Sequence, residues 1–126
     1  DNLTPRTYFT DIFEPLVRHY YNNIKEHYYK NFTEEVKLVI DNFWFQIYKK
    51  NSSHKWHTHP GANFGNVYYV ELPNNNYATK FLNTKNINVK EGDMITFPAF
   101  LAHTSPVNLD DKQKTIISFN TNFSID

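Results

Sequence analysis

His57, Thr58 and His59, followed further along by Gly92, Asp93, Pro98 and His103, form a pattern that can set three imidazoles around one metal ion. Side chains alternate along a β-strand, so two histidines separated by one residue share a face. A third imidazole, placed after a Gly-Asp turn and a proline, then needs only an adjacent strand to meet them. The chain has no cysteine, which excludes thiolate ligands and disulfides and leaves imidazole, carboxylate or carbonyl donors for any metal. His54 lies three positions before His57, an offset that faces the other side of a regular strand, and Ser52 and Ser53 before it read as loop. It is expected beside the ligands or on the surface.

Positioning such a cluster is work for a β-rich framework, and the pattern of apolar residues supplies one. The 126 residues suit one domain, with 1–41 a mainly helical lead-in and 42–126 the β core. Phe13, Leu16, Val17, Tyr20, Tyr21, Ile24 and Tyr28 recur at three- and four-residue intervals and predict an amphipathic helix with Pro15 in its first turn. Residues 33–40 fit either a short second helix or, through Val36, Leu38 and Ile40, a strand. From Asn42 onward, eight short β-rich runs are separated by Asn, Gly, Pro and Asp: 43–50, 55–59, 66–72, 77–82, 87–90, 93–97, 101–107 and 112–122. Eight such strands predict a mainly β protein, a cupin-like double-stranded β-helix (jelly roll) with the N-terminal helices packed outside. His57 and His59 fall on the second strand and His103 on the seventh, neighbours in that barrel.

Composition narrows the partners. Thirteen Lys and Arg balance thirteen Asp and Glu, so no global field favours nucleic acid or an anionic membrane. No apolar run approaches the roughly 18 residues of a membrane span, and the N-terminus has no basic-then-apolar signal pattern. The expectation is a cytoplasmic protein. The Asn-, Lys-, Tyr-, Phe- and Ile-rich usage points to an AT-rich genome such as that of a phage or small bacterium, which would make the location the host cytoplasm for a phage protein.

The stretch from Trp44 to Asn120 resembles the 2-oxoglutarate- and Fe(II)-dependent oxygenases, especially the bacterial and phage branch related to prolyl hydroxylases. The matching pieces, in order, are residues 44–48 (WFQIY), 57–61 (HTHPG), 67–70 (VYYV), 92–98 (GDMITFP), His103 and 114–120 (KTIISFN). The resemblance implies an enzyme that couples decarboxylation of 2-oxoglutarate to hydroxylation of a small-molecule or side-chain substrate. It implies that His57 and His103 bind Fe(II), with His59 where most of these enzymes carry Asp or Glu. Lys114, eleven positions after His103, falls where the family holds the far carboxylate of the keto acid. Its bland alternative is a solvated charge following Asp110, Asp111 and Lys112. Tyr48 and Tyr69 stand where related enzymes use hydroxyls to hold the keto acid, or are core aromatics. Ser118 shares the Lys114 face of its strand, and Asn66 and Asn120 are candidates to line the same pocket.

The imidazole in place of a carboxylate is the chief departure from the family, and it leaves one more positive charge on the metal. It keeps a second reading open: a cupin-like three-His metal protein with another dioxygenase chemistry or a small-molecule-binding role. Under the oxygenase reading Lys114 is directed to the pocket, whereas the cupin reading makes no such demand.

Overall fold

The apolar spacing of the lead-in is realised as an α-helix, α1 (Glu14–Tyr28). The structure, a computed structural model, describes residues 14–28, 30 and 36–125; Phe13 of the predicted helix lies outside the described residues. Pro15 occupies the first turn, where its missing N–H has no helical partner to lose. Glu14 stands at the positive end of the helix dipole and Lys25 and His27 at the negative end. Val17, Tyr20 and Ile24 are buried on one face.

The described residues fall into two compact units, one lying within 14–38 together with 123–125 and the other comprising 39–122. In the first, the Tyr21 hydroxyl donates to the Val36 carbonyl over 2.5 Å, and the Tyr21 ring stacks at 12° on Phe123.

The choice left open for residues 33–40 falls to a strand from Val36 onward, with 33–35 outside the described residues. Strand β1 (Val36–Tyr48) begins there, and α1 is the single α-helix among the described residues, where the sequence allowed two. Val36, Leu38 and Ile40 alternate with Lys37, Val39 and Asp41 in burial, a period of two that a helix does not produce.

Six further strands follow: β2 (His54–His57), β3 (Phe64–Glu71), β4 (Lys80–Phe81), β5 (Met94–Pro98), β6 (His103–Ser105) and β7 (Lys114–Ile125). The odd-numbered strands make one sheet, in the order β1-β7-β3-β5, and the even-numbered strands another, in the order β2-β6-β4. Every crossing from one strand to the next therefore changes sheet. The β3–β5, β3–β7, β2–β6 and β4–β6 pairs are antiparallel. The protein is thus mainly β, built on two antiparallel sheets.

The strand expected at 87–90 does not form. The Asn75 side chain takes its place as hydrogen-bond partner, accepting from Val89 N over 2.8 Å and donating to the Ile87 carbonyl over 3.1 Å. Ile87 and Val89 still pack against the core, so the apolar alternation that suggested a strand is used without a ladder. The strand expected at 77–82 shrinks to β4 after a 3-10 turn, Asn75–Tyr77.

The core of the second unit gathers Tyr48, Val67, Tyr69, Leu72, Ala78, Phe97 and Ile116 from both ends of the β region. Two glycines shape it. Gly92 adopts φ +89° in the turn that enters β5, where Asp93 caps the turn by accepting from Lys90 N. Gly65, paired with Phe97 across β3 and β5, leaves room for the Phe97 ring; a Cβ there would lie 2.6 Å from Phe97 Cε2.

Candidate metal centre

Strand β2 and strand β6 are hydrogen-bonded neighbours, and His57 and His103 are direct cross-strand partners. Their rings are 4.2 Å apart between centroids. His59 is not on the strand, as expected from the sequence, but two residues past its end. Its backbone N–H donates to the Ala99 carbonyl over 3.0 Å, which ties this segment to the turn between β5 and β6. The ring still reaches the other two, at 5.1 Å from His57 and 4.8 Å from His103. One ring nitrogen from each of the three lies within 4.8 Å of the others, so the group can hold a metal ion.

The hydrogen bonds assign the free nitrogens. His57 Nδ1 lies 2.6 Å from the Lys55 carbonyl and His103 Nδ1 lies 2.9 Å from the Leu101 carbonyl. A carbonyl only accepts, so both Nδ1 atoms carry the proton and both Nε2 atoms present a lone pair. His59 Nε2 sits 3.0 Å from His103 Nε2 and therefore donates to it. Two nitrogens bound at right angles to one metal, each at about 2.1 Å, would stand roughly 3.0 Å apart, so this pair is already at the spacing of adjacent ligands. A bound metal would take the place of the shared proton.

Burial favours the neutral form of His103 and His59. His103 is pushed down to about 4, chiefly by burial, against the upward pull of its bond to Leu101 and with further lowering from His57, His59 and His54. His59 is lowered by burial first and then by His57 and His54. The walls responsible are aromatic: Phe97 lies 4.6 Å from the His103 ring and Trp44 6.1 Å from the His59 ring. Neutral imidazole is the form that binds metal.

The pocket around the cluster is lined from both sheets, by Trp44, Gln46 and Tyr48 of β1, Val67 of β3 and Ile116 and Ser118 of β7, facing the histidines. Among the described residues, none that lines it carries a carboxylate. Glu71 is occupied on the surface by Thr115 and Gln113, and Asp93 by its turn. Tyr48 and Ser118 thus line the pocket that holds the histidines. Asn66 contributes to the lining, but its amide is committed to Phe119, Thr121 and Thr96. Asn120 shares the strand face of Ile116 and Ser118, and its Oδ1 is buried without a hydrogen-bond partner.

Lys114 and Tyr69 lie behind this wall. Lys114 is fully buried and donates to the Ser105 hydroxyl and to the Tyr77 carbonyl, each over 2.6 Å, with its Nζ 4.9 Å from the centre of the Tyr48 ring. Burial lowers it to about 8. Ser105 lines the pocket and accepts from Lys114, so the ammonium is one hydroxyl removed from the cavity. The Tyr69 hydroxyl donates to Thr79 Oγ1 over 2.8 Å and accepts from Thr79 N over 3.0 Å, and its ring belongs to the core.

One residue beside the cluster lies on a face that regular strand alternation does not give it. His54 stacks on His57 at 4.1 Å and 18° and lines the pocket. The β2–β6 register explains it: His54 pairs with Ser105 and His57 with His103, three steps on one strand against two on the other. The extra residue is a bulge, and it returns His54 to the face that regular alternation denies it.

No family model matches the chain, and a search of curated proteins finds no match either.

Proposed function

We propose that this chain is a non-haem iron oxygenase of double-stranded β-helix fold, coupling 2-oxoglutarate decarboxylation to hydroxylation of a C–H bond. The observation that carries the reading is the convergence of His57, His59 and His103 in a pocket between two sheets, with the Lys114 ammonium held behind the pocket wall. The alternation of successive strands between sheets supports the jelly roll, with 87–90 as its unladdered member. Imidazole donors suit iron, and three of them leave coordination positions for the keto acid and O2.

His57, His59 and His103 would hold the metal. Bound Fe(II) would supply the O2 chemistry, whose balance is 2-oxoglutarate, O2 and R–H going to succinate, CO2 and R–OH. Tyr48 and Ser105 offer hydroxyls to the far carboxylate, and Lys114 polarises Ser105 from behind. Such an ammonium favours an anion at the hydroxyls it bonds. Trp44 and Phe97 exclude water from the rings.

The expected result is Fe(II)- and O2-dependent formation of succinate from 2-oxoglutarate, abolished by His103→Ala. A protein that binds iron but neither binds nor turns over 2-oxoglutarate would overturn the oxygenase reading. The second reading, a cupin-like three-His protein with another reaction, would then stand. It is favoured by the absence of a carboxylate from the described pocket lining and by the hydrogen bonds that already occupy Lys114.

A further inference from the structure

A fourth imidazole beside three convergent ones calls for a physical account, because the chain forms a β-bulge to bring it there. Bulges interrupt a ladder and persist where they re-aim a side chain. Here the Thr104 hydroxyl donates to the His54 carbonyl, which holds the extra residue at the start of β2.

His54 cannot share a metal with His57. Each imidazole that binds a metal keeps it in the plane of its own ring, so two nearly parallel rings on one ion must lie side by side in one plane. At a centroid separation of 4.1 Å and an angle of 18°, rings lying side by side would overlap. The pair is therefore face to face, and a metal in the plane of His57 lies outside that of His54. The outer face of the His57 ring is covered by His54, while its Nδ1 is pinned by Lys55. His103 and His59 have other supports: Phe97 against the first and Trp44 beside the second. Each of the three metal-site rings thus has an aromatic companion, and for His57 it is a histidine.

We infer that His54 is a positioning residue for this centre, fixing the plane of His57 by stacking and contributing no ligand. The inference rests on the metal reading of the His57, His59 and His103 group. It predicts that an apolar ring can replace His54 and that a small side chain cannot, because the ring face and not the ring nitrogen does the work.

Co(II) titration followed by its visible absorption, on the parent protein, His54→Ala and His54→Phe, tests this. His54→Ala is expected to weaken Co(II) binding about 10- to 100-fold, the range typical of groups that orient metal ligands, with an altered band shape. His54→Phe is expected to stay within about threefold of the parent, on the same principle. Equal affinity of parent and His54→Ala overturns the inference, and so does a His54→Phe as weak as His54→Ala, which would assign the role to the nitrogen. Should His54→Ala fail to fold, the His54→Phe result alone decides between ring face and nitrogen. Nitrogen NMR of the metal-free proteins separates this from failure of the metal reading. The His57 Nδ1–H signal should persist in parent and His54→Phe and be lost in His54→Ala, whether or not the parent takes Co(II). Its persistence in His54→Ala overturns the inference.

Discussion

Replacing Lys114 by Met keeps a long stem and removes a buried charge, and its effect should depend on pH in a calculable way. Lys114 is fully buried and its ammonium titrates at about 8 in the folded chain, against 10.5 when exposed. Near pH 7 both states hold the proton and the group contributes no pH dependence. Between pH 8 and 10.5 the folded state releases the proton while the unfolded state keeps it, so the unfolded state binds more protons and stability rises with pH. The full shift corresponds to about 3 kcal/mol, of which about 2 kcal/mol is realised by pH 9.5. Burial raises Tyr48 and Tyr69, and because parent and variant both carry them, their contribution cancels in the difference between the two proteins. Urea unfolding of parent and Lys114→Met at pH 7.0 and 9.5 provides the assay, with the difference between the two proteins isolating this group. The parent should gain about 2 kcal/mol relative to the variant over that interval. A relative gain below about 0.5 kcal/mol would refute the reasoning, showing that Lys114 is hydrated or leaves its Tyr77 and Ser105 partners.

Two other perturbations probe the ground beneath the candidate metal centre. Gly65→Ala places a methyl 2.6 Å from Phe97 Cε2, so the ring, which also packs 4.6 Å from the His103 ring, must shift; thermal unfolding should show a loss of about 1 to 3 kcal/mol, accompanied by weaker Co(II) binding. Acid should destabilise the protein through the cluster. His103 is depressed to about 4 from 6.5, and His54 and His59 are also lowered, so the unfolded state binds more protons as pH falls from 6.5 toward 4 and stability is lost across that window. His103→Gln should flatten part of the decline in urea midpoints, and an equally steep decline in the variant would count against the assignment.

Much of the candidate site was legible as residue types. His57, His59 and His103 were identified by spacing, because alternation along a strand is a local property and the Gly92-Asp93 turn has a conformational demand that glycine meets. Gly92 indeed takes a positive φ and Asp93 caps the turn. Most strands were visible as apolar alternation, but residues 87–90 show the limit of that signal. The same alternation serves a segment whose backbone partner is the Asn75 side chain, twelve or more positions away. Local pattern reports which face is buried, not which group completes the hydrogen bonds.

His54 marks the same limit at the site. An offset of three reads as opposite faces unless a bulge intervenes, and the bulge exists only in the register between β2 and β6. Lys114 could be read as a cation on the last strand, but whether it is solvated or buried depends on Tyr48, Tyr77 and Ser105, which come from three distant segments. The sequence by itself determined the donor chemistry: imidazole without thiolate, on a β-rich chain with turns at the required places. The tertiary structure alone decided how those donors meet, which nitrogen each presents, and that the cation stands behind a hydroxyl. Those outcomes depend on cross-strand register and on desolvation, and both are set by residues far apart in the chain.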